Sequence, residues 1–142
     1  MKLKVMLEEG AYMPVRAHED DGGLDLFSRE RRLIWPGMSV LFDTGVHVEI
    51  PKGYVGDVDP KSSLMEKNLL TAGTIDCGYT GSIKIKLFNL GGGMVEILDG
   101  QKIAQLVIKS IITPELEVVD SLEDTERGDG GFGSTGAHHE QR

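Results

Sequence analysis

The sequence predicts an all-β protein, a β-sandwich, jelly roll or barrel, with one short helix and a mobile C-terminal tail. Three observations predict it. Apolar side chains recur with period two rather than about 3.6, as on half-buried strands. Turn signals cut these runs into short pieces: Pro36-Gly37, Pro51-Lys52-Gly53, Gly91-Gly92-Gly93 and Asp99-Gly100. Only Ser62 to Asn68 carries helix signals. Many short strands at close spacing bury their faces by closing into barrels or stacked sheets.

In chain order, Leu3, Val5 and Leu7 alternate with Lys2, Lys4 and Met6 and predict an opening strand. Val46, Val48 and Ile50 alternate with His47 and Glu49 in the same way. The helix has Ser62 or Ser63 as an N-cap oxygen, with Glu66 at capping-box spacing from Ser63. Gly73 to Gly81, bounded by glycines and followed by an apolar run, predicts a hairpin with little bulk on its rim. Ile83, Ile85 and Leu87 alternate with Ser82, Lys84 and Lys86, the cleanest half-buried strand in the chain. Asp99-Gly100 lies between apolar runs and suits a tight hairpin, because glycine accepts positive φ. Ile103 to Ile108 is a more continuous run, as on a strand covered on both faces. Leu116, Val118 and Val119 predict one further strand.

A chain of 142 residues is the size of one domain. No repeat or interdomain linker divides it, so residues 1–120 read as a single β core. With 39% hydrophobic residues the core is large enough to exclude wholesale disorder. The formal charge of −8 argues against holding a nucleic-acid backbone by bulk electrostatics. A local basic pocket for a small polyanion remains open. No apolar run approaches the ~20 residues that span a bilayer, and Met1-Lys2-Leu3-Lys4-Val5 lacks a signal-peptide apolar region. The single Cys77 excludes an intrachain disulfide and a multi-cysteine zinc site, and predicts a reducing, cytoplasmic setting. The 19 glycines are about twice the usual share of roughly 7%. Such a chain is rich in turns or uses its backbone to touch a ligand.

Residues 121–142 change character. Their only aliphatic or aromatic side chains are Leu122, Phe132 and Ala137, too few to offset the entropy of ordering. A disordered tail is the plain reading. Yet Arg127 to Gly136 combines a guanidinium, an aromatic, two hydroxyls and five glycines in ten residues. Those are the parts of a phosphate-gripping lid: consecutive backbone amides form an anion nest, Arg127 adds a forked cation, Ser134 and Thr135 add donors, and Phe132 offers a face for a nucleobase. It is not a Walker loop, because no lysine follows the glycines.

Two further constellations bear on chemistry. Asp76 and Tyr79 sit three apart in the Gly73–Gly81 segment, within reach of one site or, equally, as a turn-capping Asp and a core-edge Tyr. Pro60-Lys61-Ser62-Ser63 opens the helix, where free amides favour phosphate, the alternative being a simple N-cap. His138-His139 could bind a metal and Glu19-Asp20-Asp21 could attract Mg²⁺, but they read more plainly as an inert pair and a solvated charge run, and Cys77 has no fixed histidine beside it in sequence to make it a nucleophile.

Together these pieces resemble the trimeric dUTPase family over most of the chain. The family's five motifs occur in order as Gly23-Leu24-Asp25-Leu26, Pro60-Lys61-Ser62-Ser63-Leu64, Gly73-Thr74-Ile75-Asp76 through Tyr79-Thr80-Gly81 to Phe88-Asn89, Gly100-Gln101-Lys102-Ile103-Ala104-Gln105-Leu106, and Arg127 to Gly136. Three positions depart from the pattern. Lys61 stands where the family usually has Arg, Gly22 where Ala is usual, and Gln101-Lys102 where Asp-Arg is commoner.

The resemblance implies a β jelly roll forming a homotrimer with shared active sites, the tail (residues 121–142) closing over a neighbouring subunit's site. It implies hydrolysis of dUTP to dUMP and pyrophosphate by in-line attack of water at the α-phosphorus, with Asp76 as general base. It also implies Mg²⁺ carried on the triphosphate, with no direct protein ligand and Asp25 near its water shell. Lys61, Ser62, Ser63 and Gln105 would hold the phosphates, and Arg127, Gly133, Ser134 and Thr135 would cap the γ end. Gly73, Thr74 and Ile75 would read the uracil edge through their backbone, Tyr79 would exclude a ribose 2′-hydroxyl, Phe132 would stack on the base, and Lys84 would complete the substrate contacts. Two rivals remain at this point: a dCTP deaminase-like enzyme of the same fold, and a non-catalytic nucleotide sensor.

Overall fold

The computed structural model describes residues 1–139. Its elements are β1 (Lys4–Leu7), β2 (Gly23–Phe27), β3 (Arg32–Ile34), β4 (Ser39–Asp43), β5 (Val46–Glu49), β6 (Tyr54–Asp59), α1 (Ser62–Met65), β7 (Leu69–Leu70), β8 (Gly73–Ile75), β9 (Lys84–Asn89), β10 (Val95–Ile97) and β11 (Lys102–Ser110). The strands form four sheets, ordered β2-β11-β6-β8, β4-β9-β7, β1-β5 and β10-β3, and every pairing is antiparallel. The all-β class predicted from period-two patterning is observed, as is the jelly roll that the family resemblance implies. No helix among the described residues is long and apolar enough to cross a membrane.

The alternation at Ile83–Leu87 behaves as predicted. On β9, Ile85, Leu87 and Asn89 point inward while Lys84, Lys86 and Phe88 are exposed. Buried Asn89 donates to the Ile34 and Gly93 carbonyls and accepts from the Gly91 amide, so its polar atoms are satisfied inside the core. On β11 the register slips between Lys102 and Ala104 against β2. That bulge turns the consecutive Ile103 and Ala104 both inward, which explains why this run reads as continuous. Leu26, Ile34, Phe42, Leu69, Ile97 and Leu106 join them in the core. Each fully buried aliphatic side chain contributes about 1.5–3 kcal/mol.

Four local expectations are corrected. The helix spans Ser62–Met65 only, with Lys61 at the N-cap and no side-chain cap bond, so the Ser63–Glu66 capping box does not form. The chain leaves helical geometry at Asn68, whose φ is 60°, and enters β7. Gly100 does take a positive φ of 80°, but the strands around that turn diverge: β10 pairs with β3, and β11 with β2 and β6. Likewise Gly73–Gly81 is not a ladder-paired hairpin, since β8 pairs with β6 and β9 with β4 and β7. No strand forms at Leu116, Val118 and Val119, and the first two are almost wholly exposed. A strand needs a ladder partner, and the described residues offer that segment none.

Beyond β11, residues 111–139 contain turns and bends without helix or strand. The last three residues of the 121–142 tail lie outside the described residues.

Candidate active site

The sheet β2-β11-β6-β8 gathers four of the five motifs. Asp25 lies on β2 and Gln105 on β11, and Gln105 is in register with both Asp25 and Asp59. Pro60–Ser63 leave the end of β6, while Gly73–Ile75 are β8 itself. A Cβ on Gly23 would stand 2.2 Å from Gln105 Oε1, so the glycine makes room for the carboxamide. Gln105 Nε2 donates to the Pro60 carbonyl at 3.3 Å.

Asp25 is the buried charge of this group. Lys61 Nζ donates to its Oδ1 at 2.6 Å, and Lys102 Nζ stands 2.9 Å from Oδ2 as an ion pair. Oδ2 is buried and makes no well-aligned hydrogen bond of its own. Burial by itself pushes the Asp25 carboxyl up, but Lys61 and then Lys102 outweigh it and hold the group below its ordinary value. Asp25 is therefore an anion that fixes two lysines beside the Pro60–Ser63 segment. Lys61 was a predicted site residue. The role of Lys102 was missed, although its place four residues after Leu98 and three before Gln105 puts it on the same strand as Gln105.

Ser62 and Ser63 are exposed on the first turn of α1, with neither hydroxyl spent on capping. A four-residue helix has little macrodipole, so any grip on phosphate here comes from individual hydroxyls and amides.

At the other end of the sheet, buried Ile75 anchors β8 and exposed Asp76 follows it directly. The Tyr79 amide donates to the Asp76 carbonyl at 3.0 Å, closing a turn. The Tyr79 hydroxyl donates to the Ser82 carbonyl at 2.8 Å. Its ring folds over Gly81, where a Cβ would lie 2.6 Å from the phenol oxygen. Tyr79 therefore stiffens the loop that carries Asp76.

The register separates these two groups within one chain. Gly73 pairs with Val58 and Ile75 with Gly56, so Asp76 falls at the Tyr54 end of β6 while Lys61–Ser63 leave its far end. Six residues of extended chain intervene, about 20 Å. Lys84 lies elsewhere again, opposite Asp43 in the β4-β9-β7 sheet.

In the tail, Arg127 Nε donates to the Gly130 carbonyl at 2.9 Å and the Ser134 amide to Gly131 at 3.1 Å. Arg127, Gly130, Ser134 and Thr135 line one shallow concavity, with Gly133 in the same turn system. Phe132 is fully exposed. Among the described residues no group of three His, Cys, Asp or Glu is placed to hold a metal ion.

Fold and site thus define a β jelly-roll protein that presents an anionic loop and a basic, hydroxyl-bearing segment at opposite ends of one sheet. A dUTPase family model matches residues 9–136, and the chain belongs to that family of hydrolases. It is similar to deoxyuridine 5'-triphosphate nucleotidohydrolase of Clostridium tetani, 45% identical over 140 residues and covering 96% of each chain. The protein of the same description from Gloeothece citriformis is 46% identical over 141 residues, covering 96% of this chain and 97% of that one. Among solved structures, the Staphylococcus bacteriophage 80alpha dUTPase with dUPNHPP superposes with a TM-score of 0.90 at 35% identity, covering 96% of this chain and 99% of that one. A mutant dUTPase of S. aureus phage phi11, described for its coordination of a structural Mg(II) ion, gives 0.81 at 35% identity, covering 87% and 100%.

Proposed function

We propose that the protein hydrolyses dUTP to dUMP and pyrophosphate by attack of water at the α-phosphorus, with Asp76 as general base. The observation that carries this reading is the family match over residues 9–136, which includes both the Asp76 loop and the Arg127–Gly136 tail. Exposed Asp76, at the end of a strand anchored by buried Ile75, suits a base that must meet a substrate-bound water.

The site is shared between copies in a homotrimer. One triphosphate does not reach from Asp76 to Ser62 and Ser63 along a single β6, so the loop of one subunit faces the Pro60–Ser63 segment of another. There, Ser62, Ser63, Lys61 and Gln105 hold the phosphate chain. The tail of residues 121–142 closes over a neighbour, bringing Arg127, Gly133, Ser134 and Thr135 to the γ-phosphate and Phe132 to the base. The exposed Ile112, Leu116 and Val118 fit burial against another copy. Lys84 completes the substrate contacts at the subunit boundary.

Backbone groups of Gly73, Thr74 and Ile75 read the uracil edge. Cytosine presents the opposite donor pattern and leaves buried groups unpaired, at about 1–3 kcal/mol each. Tyr79, pinned by Ser82 and Gly81, leaves no room for a ribose 2′-hydroxyl.

In this reading the metal arrives with the nucleotide, and the chain's contribution is the buried Asp25 carboxylate, paired with Lys61 at Oδ1 and Lys102 at Oδ2. Mg²⁺ on the triphosphate supplies charge neutralisation for the leaving pyrophosphate. Lys61 and Lys102 hold the Asp25 carboxylate ionised, the state in which it would accept from a water of that ion's shell. The reaction belongs to the cytoplasm, as the lone cysteine predicts.

Pyrophosphate release from dUTP, dCTP, dTTP and UTP, with ammonia measured for dCTP, tests the reading. Pyrophosphate from dUTP alone supports it. Ammonia from dCTP assigns the chain to the deaminase-like alternative, and dUTP binding without turnover assigns it to the nucleotide sensors.

A further inference from the structure

His47, on β5, is engaged at both ring nitrogens. Nδ1 lies 2.7 Å from the Thr80 carbonyl oxygen and Nε2 lies 2.9 Å from Glu8 Oε1. A backbone carbonyl only accepts, and an ionised carboxylate only accepts. Both nitrogens must therefore donate, which only the imidazolium can do. Neutral His47 keeps one proton, which the stronger, charged Glu8 acceptor holds on Nε2, so the bond forfeited is the one to Thr80.

The surroundings favour the charged ring. Glu8, just past β1, is held by Arg29, whose Nη2 donates to Glu8 Oε2 at 2.8 Å. Arg29 also stands 3.3 Å from Asp43 on β4. Lys4 and Glu49 flank the ring on β1 and β5 and neutralise each other at 2.7 Å. The two carboxylates, Glu8 and Asp43, thus outnumber the one guanidinium facing the ring.

Thr80 belongs to the loop that carries Asp76 and Tyr79. That loop is fixed at its start by buried Ile75 and at its end by Ser82 and Ile83, both buried. Between them, the exposed Thr80 carbonyl is tied to β5 by His47. We propose that His47 is a positioning residue that, when protonated, clamps the Thr80 carbonyl and holds the Asp76–Gly81 loop in its nucleoside-binding shape, so that substrate affinity rather than turnover falls as pH rises. This rests on the reading of that loop as the nucleoside-binding element.

The direction of titration agrees. Glu8 first and the Thr80 carbonyl second raise the His47 pKa above its ordinary value, while His47 and Arg29 lower that of Glu8. The clamp is complete below the ordinary histidine value and is lost as pH climbs through the raised one. Protonation of Glu8 in acid leaves the imidazolium charged, so the Nδ1 bond to Thr80 persists there.

The test uses the full chain. NMR follows the His47 ring together with the Gly81 amide nitrogen, which shares a peptide group with the Thr80 carbonyl, and KM and kcat for dUTP are measured across the same pH range. Gly81 is expected to titrate with His47 at one midpoint above about 6.5. KM is expected to rise through that midpoint by roughly threefold to tenfold, the worth of one hydrogen bond, with kcat nearly constant. Glu8→Gln moves both midpoints to lower pH, and His47→Ala abolishes the Gly81 transition and leaves KM flat at its high-pH level. A Gly81 resonance indifferent to His47 ionisation overturns the proposal, as does a Glu8→Gln KM profile that superimposes on the parent's. If no preparation hydrolyses dUTP, the substrate reading falls, and the Gly81 titration alone decides whether the clamp exists.

Discussion

Lys61 Nζ reaches the buried Asp25 carboxylate at 2.6 Å, tying the segment that leaves β6 to strand β2 across the intervening β11. The bond spans a full strand of the sheet, so the position of Ser62 and Ser63 depends on a charge buried two strands away.

Replacing Asp25 by Asn removes the anion and releases both Lys61 and Lys102. We expect a loss of about 1–3 kcal/mol in stability and a raised KM for dUTP, read by denaturant unfolding and steady-state kinetics. Because the folded Asp25 pKa is lowered, its contribution is present above the unfolded carboxylate value of about 3.9 and disappears as pH falls through the folded value. The stability gap between parent and Asp25→Asn should therefore close in acid.

The proposed sharing of the site between subunits predicts complementation. Asp76→Asn and Ser63→Ala chains, each nearly inactive alone, should regain activity when unfolded together and refolded as a mixture. Random assembly pairs an intact loop with an intact phosphate segment in about a quarter of sites, half from each partner. Pyrophosphate assays on the mixture measure this, and activity no greater than the sum of the separate variants would place each site within one chain.

A chain ending before Arg127 should keep its fold and lose its activity. Residues 111–139 add no helix or strand, and the core side chains all precede them. Thermal unfolding should shift little, whereas kcat/KM for dUTP should drop by about 100-fold or more, since charge stabilisation at the γ end is gone. An active truncated protein would exclude the tail from catalysis.

The sequence made the strands with clean alternation legible, because β5 and β9 each have one face in the core and one in solvent. It left β6 unread: Tyr54-Val55-Gly56-Asp57-Val58-Asp59 carries two aspartates and a glycine, residues that strands usually avoid. There, register with β11 and β8 outweighs local preference. Pairing partners were equally hidden. Asp99-Gly100 and Gly73–Gly81 both read as hairpin turns, yet each hands the chain from one sheet to another. Lys61 and Asp76 stood out by type and spacing, whereas Asp25 and Gln105 entered only through the family resemblance. Their division between opposite ends of β6 was not legible, because it follows from the β6–β8 register. His47 was noted only as the polar member of an alternating pair, and its carbonyl and carboxylate partners come from segments distant in sequence.

The most direct test of the central claim compares turnover and binding in Asp76→Asn. If Asp76 is the general base, the variant should bind a non-hydrolysable dUTP analogue with near-parental affinity while its kcat for dUTP falls by about 10²–10⁴. Near-normal turnover in Asp76→Asn would contradict the account.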